Sequence, residues 1–144
     1  MNATSALVAL ATLTGEIVFH YWWISLLLVA LAVAALTLGS PLRNPAYRSR
    51  AGTMALLYVI PFIILLVGVT LRYDHSISTN YREPPLWYGI ALWAPVALYA
   101  LFLVASIVFS KGARWRSGAF LAPGLWVSLC ATVSAGFAIA GVGP

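Results

Sequence analysis

The chain has 144 residues, of which 62% are hydrophobic and 8% charged, and its formal net charge is +5. Soluble domains carry about 25% charged residues, and a fold this small has too much surface for its volume to hide so many apolar side chains from water. An ordinary soluble globular protein is therefore excluded, and lipid must solvate much of the surface.

The positive charge does not form a nucleic-acid-binding stripe. All eight lysines and arginines lie between apolar runs, where membrane proteins keep their basic residues. Nucleic acid is therefore not an expected partner. The single cysteine, Cys130, sits in an apolar run and cannot form an intrachain disulfide.

Residues 1–15 are small, mildly apolar and uncharged. With no positive n-region they do not read as a cleavable signal. They are expected to lie along the interface or to extend the first helix. The first span is expected over 16–39. Glu16, His20, Tyr21, Trp22 and Trp23 gather at its start, as an interfacial aromatic belt would. Gly39, Ser40 and Pro41 then stop the helix.

A second span is expected over 53–71, with Pro61 near its middle, followed by a polar loop over 72–85. Pro84 and Pro85 introduce a third span over 86–110, and a fourth is expected over 119–142. Each run is close to the roughly 20 residues a spanning helix needs. The predicted fold is an all-α integral membrane protein, a single domain of four transmembrane helices in an up-down bundle.

Orientation follows from the loops. Arg43, Arg48 and Arg50 lie in one, Lys111, Arg114 and Arg116 in another, and only Arg72 and Arg82 in the 72–85 loop. Six against two places the first two loops in the cytoplasm, facing anionic lipid headgroups, and both termini outside. A bacterial inner membrane is the expected location. The segments RSRAGTMAL at 48–56 and RWRSGAFLA at 114–122 share an Arg-x-Arg-small-Gly pattern before an apolar run, which suggests two related hairpins.

Four groups of residues are candidates for function. Gly124, Ser128, Thr132, Gly136 and Ala140 recur every fourth residue and form a small-residue face for close helix packing. Pro61 and Pro95 each free a carbonyl four residues back, at Leu57 and Ala91, for which Tyr58 and Tyr99 are nearby donors. Those kinks could alternatively line a path. Glu16, His20, Asp74 and His75 have the ligand types for a divalent metal or, through the histidines, a haem, without the spacing of a known motif. No cofactor is predicted from them. Catalytic signatures are missing: there is no Gly-x-Ser-x-Gly and no phosphate-cradling glycine loop.

The run RAGTMALLYVIPF at 50–62 resembles the second helix of the small four-span membrane enzymes of eicosanoid and glutathione metabolism. Ala55 and Tyr58 stand where that pattern has asparagine and glutamate, so the resemblance does not reach its cofactor-holding residues. The expected role is an interaction or accessory subunit of a membrane assembly, with other subunits or further copies of itself as partners. The alternatives are a self-associating channel or facilitator near Pro61 and Pro95, and a membrane enzyme or metal protein with an outer-face site.

Overall fold

The computed structural model describes residues 3–37, 52, 54–77, 84–109 and 114–140, with 73–77 described by their backbone alone. Every described element is helical. α1 covers Ala3–His20 and α2 covers Trp22–Thr37. A 3-10 turn at Leu57–Val59 leads into α3, Ile60–Ile77. α4 covers Leu86–Phe109 and α5 covers Arg114–Ile139.

α5 is the hub, packing against all four other helices. It is the least apolar of the three long candidate spans and also the most buried. The two properties belong together. A helix screened from lipid by its neighbours can carry polar side chains, and Ser117, Ser128, Thr132 and Ser134 are all buried on it. α3 presents Ile64, Gly68 and Leu71 inward, and α4 presents Tyr88, Leu92, Val96 and Tyr99. Both sets follow the three-and-four spacing of one helix face. The remaining faces are covered in exposed Leu, Ile, Val, Phe and Trp.

Close backbone approach fixes the α3–α5 contact. A Cβ placed on Gly68 would lie 2.7 Å from the Cβ of Ala135, with Leu10 of α1 at 3.5 Å. Small residues thus allow three helices to meet there. Away from such contacts the hydroxyls satisfy themselves. Thr12, Thr14, Thr37, Ser128 and Ser134 each donate to the carbonyl four residues back, at 2.7–2.9 Å.

The structure departs from several of the sequence-based boundaries. The expected single helix over 16–39 is two helices, bent by 85° between His20 and Trp22. Residues 3–15 belong to α1, whose Ala6, Leu10 and Thr14 are buried in the bundle. The polar loop expected from Arg72 begins later, because α3 stays helical to Ile77. The last helix starts at Arg114, so Arg114 and Arg116 lie on its first turn and not in a loop. The third helix, expected over 86–110, is found at Leu86–Phe109.

Candidate functional site

Two junctions on α5 hold side-chain hydrogen bonds that join it to other elements. The first is built around Pro123 and Gly124. Proline inside a helix cannot donate to the carbonyl four residues back and pushes its ring against it, so the helix loosens locally. Two tyrosines from other elements reach this turn. The Tyr99 hydroxyl donates to the Leu121 carbonyl at 2.9 Å, and the Tyr58 hydroxyl donates to the Phe120 carbonyl. Ser128 donates to the Gly124 carbonyl at 2.7 Å. The Tyr58 ring also meets Phe120 edge-on, with centroids 5.7 Å apart.

Gly124 makes this geometry accessible. A Cβ there would lie 2.1 Å from the Tyr99 hydroxyl oxygen and 2.9 Å from its Cζ. The Tyr99 side chain is fully buried, so it has no space to retreat.

The tyrosines do not serve the prolines of their own helices. The Leu57 carbonyl, freed by Pro61, accepts the Ile60 N–H within the 3-10 turn. Backbone tightening solves that vacancy locally, with Pro61 on the first turn of α3, where proline is tolerated. Tyr99 lies one turn beyond Pro95 but bonds to α5. The four residues expected as a path or kink, Tyr58, Pro61, Pro95 and Tyr99, therefore split. Two prolines shape their own helices, and two tyrosines clamp a third.

The second junction is the break between α1 and α2. Trp126 Nε1–H donates to Ser25 Oγ at 3.1 Å, and Ser25 Oγ–H donates to the Val18 carbonyl at 3.0 Å. A carbonyl left open by the break is thereby paired, and α5 is tied to both halves of the bent pair. Tyr21 at the break meets Trp126 edge-on, at 6.1 Å between centroids, and His20 meets Tyr21 likewise at 4.9 Å.

The small-residue stripe divides along its length. Gly124, Ser128 and Thr132 are buried inside the chain's own bundle. Thr132 Oγ1 reaches the Leu92 carbonyl at 3.5 Å, the outer limit of a hydrogen bond. Gly136 is half-buried with nothing within 4 Å of a Cβ placed on it, and Ala140 is exposed.

Glu16 and His20 are both exposed, one turn apart on α1 and to one side of the face that buries Ala6, Leu10 and Thr14. Asp74 and His75 lie on the final turns of α3, with side chains outside the described residues. Among the described residues no group of three or more His, Cys, Asp or Glu comes together. Arg43, Arg48, Arg50 and Lys111 fall outside the described residues. Arg116 lies over the Trp115 ring at 5.6 Å from its centroid.

Sequence reasoning missed Pro123, Ser25, Trp126 and the Gly68–Ala135 contact. The Pro-Gly pair inside an apolar run was a visible signal for the first. The hydrogen bond joining Ser25 and Trp126 spans 101 residues, and no local pattern announces it.

These helices define the class. Among the described residues three helices are long and apolar enough to cross a membrane, or up to four if the bent pair is one span, which fits a helical membrane protein. Neither protein-family models, nor curated proteins, nor solved structures gave a match to this chain.

Proposed function

We propose that the chain is a four-span integral membrane protein that serves as an interaction or accessory subunit of a membrane assembly. In this reading α1 and α2 together make the first span. Helices of 18 and 16 residues bent by 85° place their far ends about 38 Å apart, enough for a bilayer core of roughly 30 Å. The bundle runs up and down, with both termini on the non-cytoplasmic side and the basic segments inside. A bacterial inner membrane suits that charge asymmetry. Arg114 and Arg116, on the first turn of α5, then lie at the level of anionic lipid headgroups.

The observation that carries the subunit reading is the open end of the α5 stripe. Gly136 and Ala140 continue the face of Gly124, Ser128 and Thr132 beyond the packing of the described residues, leaving room there for a helix from another subunit. The channel alternative has less support. The hydroxyls nearest Pro61 and Pro95 are committed to α5 carbonyls.

Native mass measurement after mild-detergent purification tests the reading. A complex containing a different protein in fixed ratio is expected, and Gly136→Leu should disrupt it while leaving the fold intact. A lone chain in every mild detergent tried would overturn it.

A further inference from the structure

The helix break moves two ionisable residues to an unexpected depth. As the start of an unbroken span, Glu16 and His20 would sit at the outer interface. The structure instead sets Tyr21, beside them, against Trp126 at 6.1 Å. Trp126 lies ten residues beyond Arg116, or about 15 Å along α5, which is half of a ~30 Å hydrocarbon layer. Midway along α1, Leu10 lies next to the position where Gly68 meets Ala135. The twelve residues from Leu10 to Tyr21, through the end of α1, therefore run against the ten of α5 from Ala135 back to Trp126, in the opposite sense. Glu16 falls between these anchors, about one turn of α5 outward from Trp126.

Both side chains point away from the bundle. Glu16 and His20 are one turn apart and exposed, flanked by Phe19, Trp22 and Trp23, which are exposed too. Glu16 has no ion-pair or hydrogen-bond partner among the described residues. A carboxylate facing hydrocarbon is costly, so such groups are retained where something neutralises them. The C-terminal end of α1 adds the negative end of its dipole to the same place. The local chemistry calls for a cation.

Among the described residues no lysine or arginine pairs with Glu16. The chain's lysines and arginines are confined to 43–50, 72–82 and 111–116. Arg72 ends one candidate span, and Arg114 and Arg116 begin another. A second copy threaded in the same sense would carry its basic residues at those same levels.

We propose that Glu16, assisted by His20, is a docking point within the membrane for a basic side chain borne by a spanning helix of a different protein. This rests on the subunit reading above and names the chemistry of the partner. The aromatic side chains around Glu16 would exclude lipid and water from the pair, as they do at interface centres.

Two measurements test it on the full chain in liposomes. In a Cys130→Ala background, single cysteines at position 16 and at Leu98, midway along α4, are exposed to a water-soluble maleimide. Protection of both is expected. Labelling at 16 with protection at 98 overturns the docking point alone, whereas labelling at both overturns the membrane reading itself. Energy transfer then compares two synthetic spanning peptides, leucine-rich and differing by one central lysine. The lysine peptide should bind about threefold to tenfold more tightly, the range of one interhelical polar contact in lipid. Glu16→Gln should remove that preference. Equal binding of the two peptides, or an unchanged preference in Glu16→Gln, overturns the proposal. So does Glu16-dependent association between two labelled copies of this chain without a preference for the lysine peptide, which would assign the site to self-association.

Discussion

Replacing Gly124 by alanine probes the contact on which the centre of the bundle depends. The new methyl would sit 2.1 Å from the Tyr99 hydroxyl oxygen and 2.9 Å from Cζ. Tyr99 is fully buried and held at 2.9 Å on the Leu121 carbonyl, so it cannot swing away without breaking that bond. Overpacking of this kind costs roughly 1–3 kcal/mol, and loss of an interhelical hydrogen bond in a membrane protein adds about 0.6 kcal/mol. Gly124→Ala should therefore destabilise by about 2–3 kcal/mol. Tyr99→Phe alone should cost only about 0.5–1.5 kcal/mol, because it removes a donor while the carbonyl remains in a helix. The two changes must not add. With the hydroxyl gone, the worst clash is gone, and the double variant should recover at least ~1 kcal/mol relative to the sum. Denaturant unfolding in mixed micelles, followed by tryptophan fluorescence, gives all four corners of the cycle. Additive losses would show that Gly124 is not there to admit the Tyr99 hydroxyl.

Gly68→Ala should cost about 1–3 kcal/mol in the same assay, since its Cβ would lie 2.7 Å from that of Ala135, and Ala135→Gly in the same chain should restore much of the loss. Ser25→Ala strands Trp126 Nε1–H and the Val18 carbonyl together. A loss of about 1–3 kcal/mol is expected, with a broadened spin-label distance distribution across the α1–α2 bend; an unchanged distribution would show that the bond does not hold the angle. Thr132→Val should be nearly neutral, because its contact with the Leu92 carbonyl is already at 3.5 Å. A loss well above ~1 kcal/mol would mean that this hydrogen bond is stronger than its length implies.

Composition alone determined the solvent. With 8% charged residues a chain this small cannot hide its apolar surface from water, which fits a membrane protein, and the long hydrophobic runs mark most helix positions to within a few residues. The stops were legible where Pro84 and Pro85 force them. The bend at Tyr21 was not. The stretch 16–37 has the composition of one uninterrupted helix and contains no proline. Its break is stabilised by Ser25 and Trp126, which are distant in sequence, and tertiary contact alone brings them together. The same holds for the tyrosines. Sequence showed two prolines and two nearby phenols, and the natural inference paired them within each helix. A buried hydroxyl takes whichever acceptor the packing delivers, and here Pro123 and Gly124 on the central helix bring the α5 carbonyls within reach of both. Spacing placed Gly124, Ser128 and Thr132 on one face, but only the positions of α3 and α4 decided which part of that face is covered and that Gly136 and Ala140 remain open. Helix propensity and hydropathy act over a few turns and can be read along the chain. The way the bent pair leans on a helix more than a hundred residues away depends on tertiary contact, and no local rule carries that information.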